Sequence, residues 1–169
     1  MRDNLTDADL RRFYGVVRGG MAAGARAFTG VPSTVWQAVP GGVFPAELIG
    51  ADIVKTFLSD KRNVHFTLTL TLTRPGEVYV LHDMRKPPPA WLVRDFADTG
   101  GRIECGPWDP AVNVMASEGP RRDGHVFLAC SVWRRTVPAP GTVVLGPPRD
   151  PGVTGRNMMY GVAVRPFSP

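Results

Sequence analysis

The 169-residue sequence holds only two cysteines and three histidines, and only three of its 20 basic residues are lysines (Lys55, Lys61 and Lys86). Cys105 and Cys130 lack zinc-site spacing and there is no C-x-x-C pair, so a zinc ribbon or a thioredoxin-like redox motif is excluded. Two free buried thiols are the simplest reading. In an exported domain a disulfide between them would instead close a loop of about 25 residues and add roughly 3 kcal/mol. Also missing are a P-loop, a nucleophile elbow, an H-E-x-x-H and a dinucleotide fingerprint. No enzyme activity, catalytic residue, metal or cofactor is therefore expected. No stretch approaches the ~20 apolar residues of a membrane span. Met1 to Leu10 is charged and lacks the apolar centre of a signal peptide. The segment itself is expected not to insert into a membrane.

What is abundant is glycine and proline, 19 and 17 residues, without a Gly-X-Y period. That content reads as turns between many short strands. The clearest strand is Phe66 to Thr73, where Phe66, Leu68, Leu70 and Leu72 alternate with Thr67, Thr69, Thr71 and Thr73. Strand side chains point to opposite faces with period two, so one face is apolar and the other polar. One buried face and one wet face is the habit of antiparallel sheets. Further strands are expected at 34–38, 49–57, 78–82, 103–105, 126–137, 142–145 and 158–164. Arg74-Pro75-Gly76-Glu77 is a turn by composition, which makes 65–82 a β-hairpin. Trp91 to Phe96 suggests a short helical turn behind Pro87-Pro88-Pro89.

The N-terminal 30 residues read differently. Thr6 has the character of a helix N-cap, with Asp7 and Asp9 in the first turn. Leu10, Phe13, Tyr14 and Val17 follow at helical spacing. Met21 to Phe28 can resume the helix after Gly19-Gly20. The expected organisation is a helical lead-in or linker over 1–30 and a β-domain over 31–169. The expected fold is all-β, an antiparallel β-sandwich of jelly-roll type with a short helical N-terminal extension.

The net charge is +5 and the sequence pI about 9.8. The basic residues are scattered and most have acids nearby, so they read as a solvated surface and no nucleic-acid partner is expected. Asp60-Lys61-Arg62 and Asp83-Met84-Arg85 are the charged clusters of interest. Both follow strands, where loops on a β-scaffold carry function. Carboxylate acceptors and a guanidinium fork suit a hydroxyl-rich ligand, although an Asp–Arg pair that locks loops together is the simpler role. Trp108, beside Gly106-Pro107 in an irregular stretch, is the candidate exposed platform for a sugar ring. Trp36 and Trp133 read as core, and Trp91 as a lid on one end. The expected ligand-binding set is Asp60, Lys61, Asp83, Arg85 and Trp108, with a carbohydrate as ligand. His82 next to Asp83 does not read as a catalytic pair, since neighbours on a strand face opposite ways. Asp95 and Asp98 lie three residues apart, but Asp98 before Thr99-Gly100 fits an Asx-turn.

Several stretches carry a family resemblance. They include Gly50 to Phe57 with Asp60-Lys61, Val78 to Arg85 running into Pro89 to Leu92, and Phe96 to Gly100. Ser131 to Arg135, Pro140 to Gly146 and Met159 to Ala163 follow, with Val17 to Met21 as a connector. Together they resemble the C-terminal extracytoplasmic β-sandwich region of planctomycete-type FecR-like proteins. The resemblance implies a periplasmic or cell-surface module behind a membrane span and further upstream domains, in a regulator of cell-surface signalling. It implies no catalytic residue. The function expected is a non-catalytic ligand-binding or sensing module, with carbohydrate as the ligand class. A structural or protein-interaction domain is the alternative, and a β-sandwich polysaccharide lyase or hydrolase a more distant one.

Overall fold

The computed structural model describes residues 14–112 and 118–167 and the backbone of residues 2 and 3. Among these are twelve strands, one α-helix and a 3-10 turn. The strands are β1 (Arg2–Asp3), β2 (Gly15–Val17), β3 (Arg26–Thr29), β4 (Val31–Ala38), β5 (Asp52–Phe57), β6 (Leu68–Leu72), β7 (Gly76–Asp83), β8 (Ala97–Trp108), β9 (Arg121–Arg122), β10 (His125–Val137), β11 (Gly141–Leu145) and β12 (Gly161–Pro166). Helix α1 (Ala90–Asp95) lies between β7 and β8. The all-β reading holds.

The helical lead-in does not hold where it can be seen. Met21 to Phe28 was expected to be helix, yet Arg26–Thr29 is strand, paired antiparallel with β4 and parallel with β5. Gly15–Val17 pairs with β5 as well. Sheet hydrogen bonds to β4 and β5 outweigh a weak local helix propensity there. Thr6, Asp7, Asp9, Leu10 and Phe13 lie outside the described residues.

The jelly-roll sandwich is also corrected. Strands β12-β7-β10-β8-β4-β3-β5 follow one another around the sheet, and β12 pairs with β5 as well as β7. The result is a closed seven-strand barrel, whereas a jelly roll needs two open sheets. A separate three-stranded sheet, β1-β6-β11, accompanies it. The expected hairpin over 65–82 is therefore absent. β6 pairs with β1 and β11, while β7 pairs with β10 and β12. The alternation in β6 is nonetheless as read: Phe66, Leu68, Leu70 and Leu72 are buried and Thr71 and Thr73 exposed.

Directly opposed residues on paired strands share a face. Trp36 opposes Cys105, which opposes Leu128. Ile103 opposes Cys130, which opposes Asp83. Val132 opposes Leu81, which opposes Gly161. This face lines the barrel interior, filled by Trp36, Trp108 and Phe28 with ring centroids 5.8–5.9 Å apart for each tryptophan and Phe28. The other face of β5, β7 and β12 carries Val54, Val80 and Val162. The β6 sheet covers it, with Leu70 and Leu72 across a cleft from Val54 and Val164.

Two interior positions give direct tests. Gly161 has no room for a side chain: an added Cβ would lie 2.3 Å from Cζ2 of Trp36 and 3.0 Å from Cδ1 of Leu81. Gly161→Ala is expected to cost about 2 kcal/mol, the scale of core overpacking, read by chemical denaturation; an unchanged midpoint would show that the barrel is not packed this tightly. The Thr34 hydroxyl is buried with no hydrogen-bond partner among the described residues. Thr34→Val keeps the shape and removes the orphan, so a gain of about 1 kcal/mol is expected; a loss would mean that the hydroxyl is satisfied.

Candidate functional site

Strands β5 and β7 both run antiparallel to β12, so their carboxyl ends share one mouth of the barrel with the start of β12. β5 leaves the barrel into the 3-10 turn Leu58–Arg62. Its Asp60 is buried and accepts a hydrogen bond from the Tyr14 hydroxyl. The Tyr14 ring stacks on Phe66 at 6.4 Å. With Asp60 held inward, Lys61 is left half-buried and Arg62 exposed. Burial, and then the neighbouring Arg62 and Arg85 cations, push the Lys61 amine down to about 8.

β7 ends on Asp83, 2% exposed. One of its oxygens accepts the Arg85 Nε at 2.9 Å and the Arg85 backbone N–H at 3.1 Å. The other accepts Arg85 Nη2 at 2.6 Å and the Met158 N–H at 2.9 Å. One carboxylate thus ties the loop after β7 to the chain entering β12. A buried carboxylate is tolerable only with such partners.

The long connection between β11 and β12 crosses the same mouth. It is stitched down by Trp91 Nε1 donating to the Pro147 carbonyl at 2.8 Å and the Tyr160 hydroxyl donating to the Gly146 carbonyl at 2.9 Å. Asp150 accepts the Ala90 N–H at 2.9 Å, at the start of α1. Arg149 Nη1 donates to the Gly155 carbonyl at 3.2 Å. The Lys86 amine lies against Gly155 too, only 2.5 Å from where a Cβ would stand. Gly155 has φ +88°, a conformation that suits glycine. The Nε of Arg149 is buried without a hydrogen-bond partner among the described residues.

Four of the five sequence-predicted residues, Asp60, Lys61, Asp83 and Arg85, therefore meet at this mouth. Asp83 and Arg85 are paired with each other, so their first role is structural. Trp108 is not part of an exposed platform. It is fully buried, and its Nε1 donates to the Cys105 carbonyl at 2.9 Å. A bulge is the reason. Leu128 opposes Cys105 but Val126 opposes Trp108, so β8 inserts an extra residue and Trp108 turns inward. Parity counted from Cys105 alone would have put it outside.

Lys86, Arg149 and Gly155 were missed by the sequence reading. The Arg85-Lys86 doublet ahead of three prolines was the available signal for Lys86. Arg149 is brought in only by the packing of the loop. Of the other candidates, Asp98 accepts the Gly100 N–H at 2.9 Å, the Asx-turn its sequence suggests. Trp91 packs edge-on to Phe96 and Tyr160, at 5.9 and 5.7 Å. Cys105 and Cys130 are free and buried. They sit diagonally across β8 and β10, since Cys105 faces Leu128 and Cys130 faces Ile103; burial pushes both thiols up. Among the described residues no group of three or more His, Cys, Asp or Glu is placed to hold a metal ion, and no helix is long and apolar enough to cross a membrane. A cleft of about 150 Å³ opens at the opposite end, rimmed by the Arg18–Asp52 ion pair and Arg74. It contains none of the predicted residues.

No family model and no curated protein matches the sequence. A solved structure does match: a β-glucuronidase from glycoside hydrolase family 2, with a TM-score of 0.68 and 22% identity. The match covers 98% of this chain and 14% of the enzyme's. At that identity the likeness is one of fold. The chain is built like a small part of that enzyme.

His82, on the outer face of β7, is 3% exposed, and burial pushes it down to about 4 against the opposing pull of Asp83. Its folded value lies below the ordinary 6.5, so between these values the unfolded chain binds more protons. The stability this neutral imidazole contributes is complete above pH 6.5 and is lost as pH falls through 4. Between pH 7 and 4 the wild type is expected to lose about 3 kcal/mol more than His82→Gln in urea melts. Parallel curves for the two would mean that His82 is solvated.

Proposed function

We propose that this chain is a non-catalytic carbohydrate-binding module, with its ligand at the mouth framed by the 3-10 turn at 58–62, the loop after β7 and the connection into β12. The observation that carries this reading is the fold likeness of nearly the whole chain to a minor part of a β-glucuronidase. A unit of that size within a carbohydrate-acting enzyme suits an accessory role. The chemistry of the mouth agrees. Asp60 and Asp83 are each committed to an internal donor, which suits framing a ligand more than general acid–base work on it. We propose further that the module works outside the cytoplasm, as part of a FecR-like cell-surface regulator with upstream domains. That placement is supported by the sequence resemblance alone.

A thermal-shift screen against soluble polysaccharides and oligosaccharides tests the binding reading. A ligand at a hundred times its Kd stabilises the native state by about 2.7 kcal/mol. For a domain of this size that is expected to raise Tm by about 5–10 °C. No shift with any glycan, together with a protein that co-purifies stoichiometrically, would replace this reading with a protein-docking domain.

A further inference from the structure

We propose that the mouth takes an anionic glycan, a polysaccharide bearing carboxylate or sulfate groups, with its acid groups on Lys61, Lys86 and Arg149. The inference rests on the carbohydrate-binding reading and names its ligand class.

The first argument is charge. Lys61, Arg62, Arg85, Lys86, Arg149 and Arg156 gather on the three segments that form the mouth, and Asp60, Asp83 and Asp150 are the acids there. Each acid already serves an internal donor: the Tyr14 hydroxyl, Arg85 with the Met158 N–H, and the Ala90 N–H respectively. The cations therefore exceed the acids, and the acids are turned to structural use. Among the described residues neither Lys86 nor Arg149 forms an ion pair.

The second argument is placement. The cations form a connected series: Lys61 lies within the field of Arg85, Lys86 follows Arg85 in the chain, and Lys86 and Arg149 both rest on Gly155. Arg149 is oriented by the Gly155 carbonyl, yet its Nε is a buried donor without an acceptor. Guanidinium and ammonium donors suit carboxylate and sulfate oxygens.

The third argument concerns which polyanion. Nucleic acid without a duplex partner is held by base stacking on exposed aromatics. Around this mouth Trp91, Phe66 and Tyr160 are buried, and the half-buried Tyr14 ring is stacked on Phe66. Recognition here is polar, which suits a charged sugar.

Binding of polygalacturonate, alginate, heparin, neutral dextran and single-stranded DNA to the purified chain tests the proposal, by isothermal titration at 50 and 300 mM salt. A carboxylated or a sulfated glycan is expected to bind, dextran not to bind, and affinity to fall with salt; polygalacturonate against heparin tells the two acid groups apart. Lys86→Gln with Arg149→Gln is expected to weaken binding about tenfold or more. The charge-matched control, Arg74→Gln with Arg134→Gln at the far end, is expected to leave it within about twofold. If the Arg149 change lowers Tm, Lys86→Gln alone is read instead, with a loss of about threefold expected. Equal weakening by both double variants, or equal binding of DNA, would overturn the proposal in favour of diffuse charge attraction. Binding of dextran with no effect of the mouth variants would overturn it and leave the carbohydrate-binding reading standing. No binding of any glycan would overturn both.

Discussion

Closure of the barrel by β12 is the constraint on which the rest of the structure depends. This six-residue strand is hydrogen-bonded to β7 on one edge and β5 on the other. Without it the remaining six strands of the ring would be an open sheet with two unpaired edges, an invitation to aggregation. Closure needs small residues on the inner face, and Gly161 and Ala163 supply them. Trp36 fills the space that Gly161 leaves. The same strand presents Val162 on its outer face, to the second sheet. One short strand thus joins both layers of apolar packing.

Closure also makes the mouth. Because β5 and β7 flank β12 in parallel, the turn after one and the loop after the other are brought to the same end. Asp83 then finishes the arrangement. Its carboxylate faces the barrel interior, accepts the N–H that opens the approach to β12, and holds the Arg85 guanidinium. A charge so deeply placed depends on every partner, and loss of one leaves it uncompensated. The cations around it are presented on this frame, so the polar surface and the core are mechanically linked. Side chains held on rigid supports lose little entropy on meeting any partner.

The sequence was legible where a local pattern was strong. The Phe66–Thr73 alternation gave the correct buried face of β6, because side-chain period is a property of the strand alone. Asp98 gave its turn, and Trp91 its role as a lid, from adjacent residues. The pairing of β6 was not legible. Arg74-Pro75-Gly76 looks like a hairpin turn, but it carries the chain from one sheet to the other. Trp108 failed for a similar reason: it was read in an irregular stretch after a strand ending at Cys105, but pairing with β10 carries β8 through Trp108. The N-terminal strands β2 and β3 failed because their residues suit a helix weakly, and only their neighbours make them strands.

What the sequence determined by itself was the class of structure and the kinds of chemistry in it. Period-two runs separated by Gly and Pro turns allow an all-β domain, and the scattered arginines read as a charged, solvated surface. Local alternation and composition carry that information without reference to distant residues. Tertiary structure decided which strands pair, that the ring closes, and that Lys61, Arg85, Lys86 and Arg149 share one mouth. Those outcomes depend on contacts between residues as far apart as Asp83 and Met158. Strand pairing through backbone hydrogen bonds is nearly indifferent to side chain, so no short stretch of sequence encodes it.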